Sequence, residues 1–218
     1  MKITPLDAWI RQKIGASLPG YSRQAIESWQ LHRFNETLAL ARAKSPFYRK
    51  LHARMPGTIQ SFEDLRKFPY TTPEDIRLNP LQFVCVSQDE IRRVVTLQSS
   101  GTTGTPKRFF FTAEDQELTI DFFGVGMSTL AQPGDRVLIL LPGEIPGSVG
   151  ALLRLGLERQ GREPIPYGPV RDPRHTLEVI HEKKVECLVG SPTQVLGLAR
   201  RWQPDQHKPG AVVLSTDY

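Results

Sequence analysis

The sequence predicts an α/β protein in which a helical N-terminal region precedes a doubly wound, mainly parallel sheet. Two patterns carry that expectation. Through residue 78 the apolar positions recur at helical spacing between repeated helix-start signals. From Arg136 onward, short β-branched runs alternate with single amphipathic stretches. Strands separated by one helix each imply right-handed βαβ crossovers, hence parallel pairing and a sheet covered on both faces. A chain of 218 residues, 39% hydrophobic, is long enough for one good core with a small appendage. The expected division is a helical region over 1–78 and an α/β nucleotide-binding region over 79–218.

Leu6, Trp9, Ile10 and Ile14 form a first helical stripe, and Ile26, Trp29, Phe34, Leu38 and Ala41 a second, longer one. Ser45-Pro46, Ser61-x-x-Asp64 and Thr72-Pro73-x-Asp75 read as helix starts, with a hydroxyl cap and either proline in the first turn or an acid at the third position. Val94 to Leu97 and Phe109 to Thr112 are β-branched or aromatic and read as two strands. Thr112 with Asp115 opens a helix to about Leu130. Strands are then expected at Arg136–Leu141, Glu163–Tyr167, Val185–Val189 and Ala211–Leu214, with helices near Ser148–Gln160, Pro173–Lys184 and Pro192–Trp202. Ligands of such sheets sit beyond the carboxyl ends of the strands. That rule singles out the turns around Pro146, Gly147, Ser191 and Pro192 as substrate candidates, although each also serves as an ordinary strand-to-helix turn.

Between the first two strands, Ser99 to Lys107 reads SSGTTGTPK. Gly101 and Gly104 allow positive φ and close approach to an anion, so successive N–H groups can form a nest. Ser99, Ser100, Thr102, Thr103 and Thr105 offer hydroxyl donors, and Pro106 restrains the backbone before the Lys107 ammonium. Nothing in the run can act as acid, base or metal-binding carboxylate. The composition describes a polyphosphate grip, expected to move when empty and to order on a nucleotide.

Two other phosphate loops fail on spacing. The strand-to-helix P-loop requires glycine where Pro106 stands and Ser or Thr where Arg108 stands. The dinucleotide fingerprint requires a third glycine and a following helix. A hydrophilic hairpin connection remains the alternative, but the length and terminal Pro-Lys exceed what a turn needs.

SSGTTGTPK resembles the signature loop of AMP-forming, adenylate-forming enzymes. Its surroundings resemble the phenylacetate-coenzyme A ligase branch, through Ser45-Pro46-Phe47-Tyr48-Arg49-Lys50, the stretch Phe68 to Arg77 and the element order from Gly134 to Leu198. The resemblance implies an N-terminal fragment of a longer ligase. In the parent, a carboxylic acid attacks ATP to give an acyl-adenylate, and a thiol, usually coenzyme A, displaces AMP. It further implies a need for Mg2+, with the β- and γ-phosphates held by Ser99, Ser100, Gly101, Thr102, Thr103, Gly104 and Lys107. The catalytic lysine, the adenine loop and the magnesium-holding acid of the family match no position here, so the isolated chain is expected to be inactive. The segment Leu140 to Gly150 departs from the tyrosine- and glycine-rich pattern of phenylacetate ligases and has no aromatic residue to stack on an aryl acid.

The net charge of +5 is spread over scattered basic pairs, without a long basic block or a nucleic-acid-binding pattern. No apolar run reaches membrane-spanning length, and the first residues lack a signal peptide's apolar core, so a cytoplasmic protein is expected. Cys85 and Cys187, the only cysteines, each lie in an apolar strand-like run and read as reduced core residues. A chain ending just after an apolar strand is expected to be truncated within its sheet and to self-associate. Two further readings stand beside the ligase: a catalytically incomplete phosphate-binding module with a regulatory or partner-binding role, and a basic nucleic-acid-binding protein.

Overall fold

A computed structural model describes residues 4–15, 22–97 and 106–215. They fall into two compact units, one of residues 10–114 and one joining 115–218 to the start of the chain. The boundary expected between 78 and 79 falls inside the first unit.

In the first unit, both helical stripes become helices: α1 (Pro5–Ile14) and α2 (Arg23–Lys44), with α1 continuing from the other unit. Ser22 caps α2 by accepting from the Ala25 amide at 3.1 Å. Asn35, midway along α2, grips the backbone of buried Ile59 from both sides, donating to its carbonyl at 3.0 Å and accepting from its amide at 2.8 Å. Ser45 caps α3 (Pro46–Leu51). Its fully buried hydroxyl accepts from the Tyr48 amide and donates to the Gln82 carbonyl at 2.6 Å, tying the helix to the 3₁₀ turn Pro80–Phe83. Thr72 and Asp75 form the expected capping box of α4 (Pro73–Leu78).

The Ser61 signal gives a capping box as well, but on a 3₁₀ helix, Phe62–Lys67. The turn closes on i→i+3 bonds instead, from the Asp64 amide to the Ser61 carbonyl at 3.2 Å and from the Phe68 amide to the Leu65 carbonyl at 3.0 Å. Lys67 and then the Gln60 amide hold the Asp64 carboxyl down to about 2. The aromatic rings of Phe83, Phe47, Tyr48, His52 and Phe68 contact one another in a chain, edge-on at Phe47–Tyr48 and at His52–Phe68. Burial, and next the nearby Arg42 guanidinium, lowers the pKa of His52.

The second unit contains a four-stranded parallel sheet with strand order β4-β3-β5-β6: β3 (Arg136–Ile139), β4 (Glu163–Pro166), β5 (Cys187–Gly190) and β6 (Ala211–Leu214). Alternation along the strands separates two cores. Val137, Ile139, Cys187 and Val189 face Met127 of α5 (Ala113–Met127) and Leu153 and Leu157 of α6 (Val149–Arg159). Leu138, Leu140 and Leu188 face Leu177 and Ile180 of α7 (Pro173–Glu182) and Leu198 of α8 (Pro192–Ala199). Helices thus cover both faces, as a doubly wound sheet requires.

α5 and α6 meet backbone to backbone. A Cβ on Gly156 would lie 2.7 Å from the Ile120 carbonyl oxygen, and one on Gly124 would lie 2.7 Å from that of Gly156. Arg159 clamps the same pair of helices through Glu117. At the start of α1, Trp9 Nε1 donates to Asp121 at 2.7 Å and its ring tilts against Phe122, which seats the first turns of the chain on α5.

Both cysteines are free. Cys187 lies buried in β5 as expected, whereas Cys85 is half-buried in irregular chain between two 3₁₀ turns, so the strand-like reading of its surroundings is corrected. The short apolar run there follows Pro80 and is consumed by a turn before it can pair. Burial pushes the Cys187 thiol up to about 11. Cys187 is therefore expected to resist alkylation at pH 8 in the folded chain and to react only in denaturant. Stoichiometric labelling of Cys187 under native conditions, read by peptide mass, would contradict this burial.

Candidate functional site

The phosphate-loop candidates Ser99, Ser100, Gly101, Thr102, Thr103 and Gly104 lie outside the described residues. The strands on either side are described: β1 (Ile91–Leu97) and β2 (Lys107–Thr112) pair antiparallel, as the flanking β-branched and aromatic residues predict. The ladder runs from Val94↔Phe110 through Thr96↔Arg108 to Leu97↔Lys107, so the loop's two ends are held side by side. Lys107, the first residue of β2, is half-buried.

Residues directly opposite in such a ladder share a face, and neighbours along a strand take opposite faces. Val94, Thr96, Arg108 and Phe110 therefore form one face of the hairpin, and Val95, Leu97, Lys107 and Phe109 the other. A register shift between Ile91 and Arg93 sets Arg92 outside the pairing.

The substrate candidates belong to the other unit, at the carboxyl edge of the parallel sheet. Strand β3 pairs with β4 on one side and β5 on the other, so the winding reverses between β3 and β5. Crevices open at such reversals, and the turns after these two strands carry Pro146, Gly147, Ser191 and Pro192. Gly147 takes φ +74, a conformation suited to glycine, in the turn that leads to Ser148 at the start of α6. The Gly150 amide then donates to the Pro142 carbonyl at 2.9 Å. A Cβ at Gly150 would come within 2.6 Å of that same oxygen, so the turn closes tightly on the helix.

Pro146 and Pro192 are exposed and Gly147 is half-buried. Ser191 is buried, and its hydroxyl is engaged, 3.1 Å from the Thr193 hydroxyl and accepting from Gln194 Nε2 at 3.0 Å. Gln194 also accepts from the Val170 amide at 2.8 Å, which links the turn after β5 to that after β4. Gln194 carries no sequence signal of this role. Its position one turn into α8 marks it as a bridging residue only after β4, β3 and β5 are known to be neighbours. The Ser148 hydroxyl is buried without a hydrogen-bond partner among the described residues.

Among the described residues, no group of three or more His, Cys, Asp or Glu side chains is placed to hold a metal ion, and no helix is long and apolar enough to cross a membrane.

No family model matches the chain. It is 29% identical over 184 residues to the phenylacetate-coenzyme A ligase of Pseudomonas putida, covering 82% of this chain and 41% of that protein. It is 27% identical over 179 residues to the phenylacetate-coenzyme A ligase of Escherichia coli (strain K12), covering 79% of this chain and 40% of the relative. The chain thus spans about 40% of the length of the curated relatives it matches. Among solved structures, a 2-hydroxyisobutyryl-CoA ligase in complex with 2-HIB-AMP and CoA superposes with a TM-score of 0.71 at 23% identity, over 82% of this chain and 40% of that one. The fold is that of the N-terminal part of adenylate-forming CoA ligases.

Proposed function

We infer that this chain, similar in sequence to the N-terminal part of phenylacetate-coenzyme A ligases, grips the β- and γ-phosphates of ATP within an AMP-forming ligase of carboxylic acids and thiols. The observation that carries the reading is the run SSGTTGTPK, whose last residue, Lys107, pairs with Leu97, two residues before the run, across a hairpin. In the reaction proposed, a carboxylate oxygen attacks the α-phosphorus, the bond to the bridging oxygen of pyrophosphate breaks, and an acyl-adenylate forms. The thiol sulfur of coenzyme A, deprotonated, then attacks the acyl carbon and AMP leaves.

Hydroxyl donors, backbone N–H groups and the Lys107 ammonium suit the charge that accumulates on departing pyrophosphate. The acid is held near the switch-point turns, through Pro146, Gly147, Ser191 and Pro192, and the protein works in the cytoplasm. Magnesium is part of the proposed chemistry; among the described residues no group of three or more His, Cys, Asp or Glu side chains is placed to hold it. Acid-dependent exchange of labelled pyrophosphate into ATP, measured on the intact parent across a panel of carboxylic acids, tests the function. ATP binding without exchange for any acid would instead favour a phosphate-binding module.

The isolated chain is proposed to form no acyl-adenylate and to self-associate through β6. The two margins of its sheet differ. On β4, Pro164 and Pro166 remove amide donors, whereas β6 reads Ala-Val-Val-Leu and leaves Val212 and Leu214 half exposed. Light scattering over a concentration series should show mass rising above that of one chain, and Val212→Lys should reduce the rise. A wild-type chain that stays monomeric throughout would remove the self-association proposal.

A further inference from the structure

One face of the β1–β2 hairpin and the segment Leu78 to Gln82 line an open cleft of about 500 Å³ within the first unit. That volume lies in the range of small-ligand sites, roughly 300–1,000 Å³. Leu78, Leu81, Val94 and Phe110 make its walls apolar, and Thr96 and Arg108 stand opposite each other in the ladder. Among the residues that line it, Arg108 carries the only charge, and its guanidinium makes no ion pair or hydrogen bond with the described residues. Leu78 and Leu81 are 66% and 55% exposed, so their side chains are open to a ligand in the cleft.

We propose that this cleft is a binding site for an apolar monocarboxylate, its carboxylate on Arg108 and its hydrocarbon tail along Leu78, Leu81, Val94 and Phe110. A planar guanidinium offers two parallel N–H donors to a carboxylate, which an ammonium cannot match. Arg108 is exposed, and one unpaired positive charge beside apolar walls favours a single negative head with a greasy tail over a cation. The site is separate from the phosphate grip, because strand alternation sends Lys107 to the opposite face of the hairpin from Arg108. It does not depend on the ligase reading, and nucleotide is left out of its test.

Titration of the chain with octanoate, followed by calorimetry or by amide chemical shifts, should show saturable binding that perturbs residues of β1, β2 and 78–82. Octylamine, a cation of the same length at neutral pH, should bind at least tenfold more weakly. Arg108→Gln and Leu81→Glu should each weaken octanoate at least tenfold, whereas Lys107→Gln should leave it within about twofold. Circular dichroism establishes that each variant is folded, and the octanoate–octylamine contrast on the unaltered chain stands without any variant. Equal binding of the two amphiphiles, no saturable binding, retention by folded Arg108→Gln, or equal loss in Lys107→Gln would each overturn the assignment.

Discussion

Lys107→Ala in the intact parent should lower acid-dependent pyrophosphate exchange roughly 10- to 100-fold, the equivalent of one charge-assisted hydrogen bond of about 1.5–3 kcal/mol. Lys107 is the only lysine of its loop, and its backbone is fixed as the first residue of β2, opposite Leu97. A cation so anchored gains most where triphosphate charge gathers, and that charge is greatest as pyrophosphate departs. Lys107→Arg should restore only part of the rate, since a planar fork does not reproduce a compact ammonium. Thioester formation from preformed acyl-adenylate and coenzyme A should suffer much less, because pyrophosphate takes no part. Equal damage to both half-reactions in a folded variant would make the loop structural.

Gly156→Val should cost about 3 kcal/mol of stability, the upper part of the range for overpacking a close contact. The reason is geometric: even a Cβ at this position meets the Ile120 carbonyl oxygen at 2.7 Å and the Gly124 amide nitrogen at 2.8 Å, both backbone atoms of α5 that cannot rotate aside. In a chain of this length the loss corresponds to a fall in Tm of roughly 10 °C. Gly126→Ala supplies the contrast. It lies on the same helix as Gly124, but a Cβ there meets nothing within 4 Å. Alanine should raise stability by about 0.5–1 kcal/mol through helix propensity and a less flexible unfolded chain. Opposite signs at these positions, read by thermal melts, would establish that α5 and α6 touch through their backbones; matching signs would refute it.

The elements were legible because their signals are local. The spacing of Ile26, Phe34 and Leu38, the caps at Ser45 and Thr72, and the alternation of strand and helix after Arg136 all depend on neighbours in the chain. What stayed hidden depends on distant partners. The intimacy of Gly124 with Gly156, the tethering of Ser191 by Gln194, and the adjacency of β3 and β5 have no counterpart in sequence spacing. Cys85 illustrates the opposite error, an apolar run that looks like a strand but turns after Pro80 before it finds a partner. Of the candidate site, Lys107 and the switch-point turns are described, while Ser99 through Gly104 are not.

Lys107 and Arg108 are consecutive cations that the pleat points in opposite directions, so parity along β2 decides which ligand each can meet. Lengthening or shortening the loop leaves that parity untouched as long as Leu97 still faces Lys107. A slip of β2 by one residue would exchange the two charges between faces without altering composition, net charge or the amount of sheet. The hairpin's register therefore acts as an address for positive charge. A single-residue deletion inside β2, between Arg108 and Thr112, should lower the preference for octanoate over octylamine more than a deletion of equal size in the loop it supports, measured by calorimetry.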